Sequence, residues 1–229
     1  MAGVWAVVVA AGSGARFGGP KQFAVLAGVR VVDRSLAVAH EACDGVVLVL
    51  ADPAVWADPA GRDGERPDAV VAGGATRAES VRAGLAAIPA DADVVVVHDA
   101  ARPLAGSDLY AAVVDAVRAG ADGAIPGLPV ADTLKRVDAD ASGARVIVAT
   151  VDRDGIVAAQ TPQAFRADVL RAAHASGDDA TDDAALVESR GGKVVVVPGD
   201  PRNLKLTGPL DLAVAEVLVR NPRPGGDDG

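Results

Sequence analysis

Four glycines, an arginine and a lysine crowd into residues 10–22, AAGSGARFGGPKQ, directly after the apolar run 3–9. Glycine lets a backbone approach a ligand closely and turn its N–H groups outward, and Arg16 and Lys21 add positive charge. The chemistry such a loop supports is the holding of a polyphosphate. Two familiar phosphate loops do not fit. A dinucleotide fingerprint starting at Gly12 and Gly14 needs a third glycine where Phe17 stands. A Walker A loop needs Gly-Lys-Ser/Thr, whereas Lys21 lies between Pro20 and Gln22. The remaining alternative is an ordinary strand-to-helix turn with basic surface residues.

Asp99, in VVVVHDAARP, ends the most apolar run of the chain. It reads either as a helix or turn cap or as a ligand for a hard cation, since Mg²⁺ takes one or two carboxylates together with substrate phosphates. Arg102, three residues on, is expected to brace it. Only four of the 22 basic residues are lysines: Lys21, Lys135, Lys193 and Lys205. In an arginine-rich chain a lysine marks a place where a compact point charge serves better than a planar fork. Lys193 fits a surface position best.

These side chains need a frame. The 229 residues suit one α/β domain; half are hydrophobic but only 3% aromatic, so Val, Leu, Ile and Ala must build the core. Strand-like runs at 4–9, 46–50, 69–72, 94–98 and 123–125 alternate with helical patterns at 32–42, 76–88 and 107–119. That alternation predicts a Rossmann-like, mostly parallel sheet with helices on both faces. Thr76 and Glu79 form a capping box that opens the second helix. In open sheets of this kind ligands bind at the carboxyl ends of the strands, where both the glycine loop and Asp99 fall.

The pattern then breaks. Residues 127–160 read as a β-rich excursion, a protruding β-arm with little core of its own. Helices are expected near 165–175 and 182–190, a strand at 193–197 and a last helix at 209–219. The domain therefore spans 1–220, and the polar, glycine-rich tail 221–229 is expected to be disordered.

A net charge of −9 excludes the broad basic face that nucleic acid polymers or anionic membranes demand. The single cysteine, Cys43, excludes an internal disulfide or a cysteine-rich zinc site, and three scattered histidines do not make a metal site. No apolar run reaches the roughly 18 residues of a membrane span, and no cleavable leader opens the chain, so a cytoplasmic protein is expected.

Read in order, AAGSGARFGGPKQF, GGATRAESV, VHDAARP, DTLK, TVDRDG, TPQAF, TDDA and NLKLT make the chain resemble the 2-C-methyl-D-erythritol 4-phosphate cytidylyltransferase family up to about residue 220. The resemblance implies transfer of CMP from CTP to that acceptor, with release of pyrophosphate. It implies that the loop, with Gly12 and Gly14, holds the triphosphate, that Arg16 and Lys21 stabilise the transition state, and that Asp99 binds Mg²⁺. Cytosine would be read by Ala10, Ala11, Gly74 and Ser80, and the acceptor phosphate held by Thr133, Arg153 and Lys205. It further implies that the arm crosses to a second subunit, making a homodimer. Two departures stand out: the loop is short between Arg16 and Pro20, and Ala75 occupies a position often acidic in relatives. The competing readings are a ribitol 5-phosphate cytidylyltransferase and, from another class, a nicotinamide-dependent reductase.

Overall fold

The computed structural model describes residues 3–14, 17–56, 66–140 and 142–221. Arg16 and residues 222–229 of the tail therefore lie outside the described residues. Strand β1 (Val4–Val9) runs into the glycine loop. A 3-10 turn (Lys21–Phe23) and a short hairpin, β2 (Val25–Leu26) and β3 (Val29–Arg30), then lead into α1 (Val31–Ala42). Next come β4 (Gly45–Leu50), β5 (Ala69–Ala72), α2 (Arg77–Ala87), β6 (Val94–Asp99), α3 (Ser107–Arg118) and β7 (Gly123–Pro129). The later part adds β8 (Leu134–Ala139), β9 (Arg145–Val151), β10 (Val157–Ala159) and β11 (Gln163–Arg166). It closes with α4 (Ala167–His174), α5 (Asp183–Glu188), β12 (Val194–Pro198) and α6 (Pro209–Arg220).

β5, β4, β1 and β6 lie side by side and parallel. Every residue of β4 and β6 is buried, which a central strand covered on both faces requires. Alternate residues serve opposite faces. Ala6 and Val8 pack with Leu36 of α1 and Tyr110 and Val113 of α3, while Val7 packs with Val81 and Leu85 of α2 and Leu170 of α4.

α2 starts as its sequence predicts. Thr76 Oγ1 accepts from the Glu79 N–H at 3.1 Å and Glu79 Oε2 accepts from the Thr76 N–H at 3.2 Å, a reciprocal cap of about 1 kcal/mol.

Residues 165 and 166, expected in a helix, belong instead to β11, which inserts antiparallel between β6 and β7. Four residues show too little alternation to announce a strand. What makes one is the gap between β6 and β7, where the backbone groups of β11 find partners while Gln163, Ala164 and Phe165 become buried. β7 also runs past residue 125 to Pro129, pairing with β10 antiparallel and β12 parallel. Both ends of the 127–160 excursion are thus stitched into an eight-stranded mixed sheet, and the part that stands apart is the two-stranded β8–β9 hairpin. Val146, Ile147 and Val148 on β9 are exposed. No helix among the described residues is long and apolar enough to cross a membrane.

Candidate active site

The carboxyl ends of β1 and β6 open onto one cleft of about 460 Å³, into which the turn after β5 also reaches. Its lining includes Ala10, Ala11, Gly12 and Ser13 after β1, Gly74–Arg77 and Ser80 around the start of α2, Asp99, Lys21 and Lys205.

Gly14 adopts φ +65°, and its carbonyl accepts from the N–H groups of Phe17, Gly18 and Gly19 at 2.8, 3.1 and 3.3 Å. A Cβ there would lie 1.8 Å from the Gly19 carbonyl oxygen, so only glycine closes this turn. Among the described residues, no acceptor meets the backbone N–H groups of Gly12 and Ser13. They remain available to an anion. On the opposite wall, Gly74 donates its N–H to Ser80 Oγ at 3.2 Å, and that hydroxyl donates to the Thr76 carbonyl at 2.9 Å. Ser80 is 1% exposed and its hydroxyl is spent on this turn. It shapes the wall that Gly74 presents.

Asp99 is fixed through its backbone and its carboxylate. Its N–H donates to Thr161 Oγ1 at 3.0 Å; that hydroxyl lies 3.2 Å from His98 Nδ1, and His98 Nε2 lies 3.2 Å from the Arg102 carbonyl. One protonation pattern satisfies the chain. Nε2–H donates to the carbonyl, and neutral Nδ1 accepts from the threonine hydroxyl, leaving its oxygen to accept from Asp99. Burial lowers the His98 pKa to about 4, which keeps the ring neutral.

Lys205 Nζ donates to Asp99 Oδ2 at 2.7 Å and Arg77 Nε to Oδ1 at 3.2 Å. Burial alone would raise this carboxyl, but Arg77 and Lys205 outweigh it and hold it well below the usual carboxylate range. Asp99 is therefore an anion, and the partners of its two carboxylate oxygens are the cations Arg77 and Lys205, not the backbone N–H groups a cap would take. Arg102 does not brace it, contrary to expectation: Nη1 donates to the Asn203 carbonyl at 2.8 Å and Nη2 to that of Ala159 at 3.3 Å. The turn after β6 carries Arg102 to these two acceptors, where its fork ties the base of the excursion to the C-terminal loop. That loop also binds Lys21, whose Nζ donates to the Leu206 carbonyl at 2.8 Å.

Of the residues expected here, Ala10, Ala11, Gly12, Lys21, Gly74, Ser80, Asp99 and Lys205 line the cleft, and Gly14 sets the turn of its loop. Thr133 and Arg153 do not line it. Both are exposed at the root of the hairpin, where Arg153 Nη1 donates to the Ala131 carbonyl. Sequence reading missed Arg77, which resembles any solvated first-turn arginine; its other partner, Asp183, is 106 residues away. It also missed Thr161 and the structural role of His98. Among the described residues no group of three or more His, Cys, Asp or Glu could by itself hold a metal ion. A single carboxylate facing a cleft large enough for a nucleotide does fit Mg²⁺, which draws its other ligands from substrate phosphates and water.

Comparison with known proteins points the same way. The family model described as IspD, 2-C-methyl-D-erythritol 4-phosphate cytidylyltransferase, matches residues 4–221. The 2-C-methyl-D-erythritol 4-phosphate cytidylyltransferase of Nocardia farcinica is 47% identical over 222 residues, 94% of each chain. The bifunctional IspD/IspF enzyme of Clavibacter michiganensis is 47% identical over 230 residues, covering 96% of this chain and 55% of that one. The crystal structure of the Thermus thermophilus cytidylyltransferase superposes with a TM-score of 0.76 at 33% identity, over 93% of this chain and 98% of that one. With the match running through the glycine loop, Asp99 and Lys205 alike, the chain belongs to the 2-C-methyl-D-erythritol 4-phosphate cytidylyltransferase family of non-mevalonate isoprenoid biosynthesis.

Proposed function

We propose that Arg16, Lys21, Asp99 and Lys205 are the working side chains with which this enzyme transfers CMP from CTP to 2-C-methyl-D-erythritol 4-phosphate. The observation that carries this reading is the convergence of Asp99, Lys205 and Lys21 on one glycine-lined cleft, with Lys205 Nζ 2.7 Å from Asp99 Oδ2. A phosphate oxygen of the acceptor attacks the α-phosphorus of CTP. The bond from that phosphorus to the bridging oxygen breaks, and its electron pair leaves with pyrophosphate.

A phosphate monoester is nucleophilic at neutral pH, so no general base is needed, and neither His nor Cys is among the cleft-lining residues. Catalysis is then a matter of positioning and of charge placed in advance. The N–H groups of Gly12 and Ser13 hold the triphosphate. Lys21, tethered at Leu206, and Arg16 meet the charge that develops on the five-coordinate phosphorus. Ala10, Ala11 and Gly74 read cytosine largely through backbone, with Ser80 fixing Gly74 from behind. Asp99 would hold Mg²⁺ beside the triphosphate, where the bound cation supplies neutralisation of phosphate charge.

Lys205 faces the acceptor phosphate. Thr133 and Arg153, exposed on the arm and away from their own chain's cleft, complete the acceptor site of a second copy, so the working unit is a homodimer. The exposed Val146, Ile147 and Val148 of the same arm support this reading. With CTP as co-substrate the enzyme works in the cytoplasm. Pyrophosphate release with CTP and each of two acceptors tests the assignment. Release should be fast with 2-C-methyl-D-erythritol 4-phosphate and at background with ribitol 5-phosphate; preference for ribitol 5-phosphate would overturn it.

A further inference from the structure

The TDDA segment, residues 181–184, has no part in the reaction as described so far. Its two aspartates do different things. Asp182 caps α5, its Oδ1 accepting from the Ala185 N–H at 3.0 Å. Asp183 is 1% exposed, and its carboxylate is shared: Oδ2 accepts from Arg77 Nη1 at 2.7 Å, and Oδ1 faces His174 Nε2 at 3.0 Å. A carboxylate this buried persists only when paired, so Asp183 commits Arg77 to one place.

We propose that Asp183 is a positioning residue for the reaction, acting on Asp99 through Arg77, with His174 holding it from behind. The guanidinium is planar and rigid, so fixing Nη1 on a buried carboxylate also fixes the direction of Nε–H. That direction is Asp99 Oδ1, at 3.2 Å. Arg77 thereby takes one oxygen of Asp99 and leaves the other, Oδ2, on the side where Lys205 meets it. Asp183 also balances the charge of Arg77. Without it, two cations would bear on Asp99 with no second anion, and Arg77 could turn its fork fully onto that carboxylate. Either change competes with a divalent cation for Asp99.

The proposal rests on the reading of Asp99 as the cation ligand, and the experiment separates the two. Mn²⁺ serves as the probe, its binding followed by electron paramagnetic resonance with CTP present and acceptor absent; CTP binding in EDTA is measured alongside. Asp183→Asn should weaken Mn²⁺ binding about tenfold while leaving metal-free CTP binding unchanged. In an Arg77→Gln background the same substitution should add nothing, because the group it acts through is gone. Equal, additive loss in both backgrounds, or parallel loss of metal-free CTP binding, would make Asp183 merely structural and overturn the proposal. If Asp183→Asn alone fails to accumulate, Arg77→Gln compared with Arg77→Gln/Asp183→Asn decides, since that pair replaces a buried ion pair by two neutral amides. Asp99→Asn is the control. Mn²⁺ binding unchanged there overturns the metal reading and this proposal with it, whereas loss there with additivity elsewhere overturns the positioning role alone.

Discussion

At the scale of single residues, the site is a problem in placing charge. Asp99 stays ionised because Arg77 and Lys205 outweigh the cost of burial, and Lys21 Nζ is anchored in the cleft by the Leu206 carbonyl. Lys21→Ala should therefore lower kcat by ~10²–10³, the usual cost of losing one preorganised donor, with a much smaller change in CTP affinity. Steady-state kinetics beside calorimetric CTP titration checks the split. His98 gives a prediction for pH. Its folded pKa, about 4, lies below the unfolded value of 6.5, so the unfolded chain takes up the proton first. Its contribution is fully present above pH 6.5 and is lost as pH falls through 4. The effect is of order 3 kcal/mol. Urea unfolding of the wild type and His98→Gln from pH 7 to pH 4 should show the steeper loss of stability in the wild type.

At the scale of elements, two turns and one inserted strand set the cleft. The turn before α2 is held by Glu79 Oε2, which accepts from Ala75 N–H at 2.6 Å and Thr76 N–H at 3.2 Å, and by Ser80. A Cβ on Gly74 would lie 2.3 Å from Glu79 Cβ, so Gly74→Ala must push the turn off its cap. Overpacking of this kind costs about 1–3 kcal/mol. We expect a lower melting temperature and a KM for CTP raised about tenfold, with kcat less affected; calorimetry and kinetics on the same preparation test both. β11 contributes differently. Its entry between β6 and β7 brings Thr161, just before it, against the backbone of Asp99.

At the scale of the whole molecule, the β8–β9 hairpin forms a two-stranded sheet apart from the main one. Isolated two-stranded hairpins are marginal in water, and Ile147 on this one is 60% exposed. If a second copy covers it and takes Arg153 into its acceptor site, Arg153→Ala and Lys205→Ala chains should each be poor in acceptor use while still binding CTP. Co-expressed, they should recover part of the wild-type activity, because one site of the mixed dimer keeps both residues. Acceptor-dependent pyrophosphate release from heterodimers verified by sedimentation is the measurement; no recovery would confine Arg153 and Lys205 to a site within one chain.

What the sequence determined by itself were features that depend on near neighbours. Short valine-rich runs bounded by turn residues favour strands, and residues 4–9 and 69–72 are strands with the bounds their patterns predict. A Thr–Glu pair three residues apart caps a helix wherever it lies, and glycines in a short loop after a strand mark a close backbone approach. The tertiary structure decided whatever depends on distant partners. β11 is a strand because two other strands leave it a slot. Arg102 spans two carbonyls and does not brace Asp99, because the fold brings the loop at Asn203 beside it. Arg77 matters only because Asp99 and Asp183, 22 and 106 residues further along, reach it from opposite sides. Charge pairing depends on distance in space, and local pattern carries no record of it.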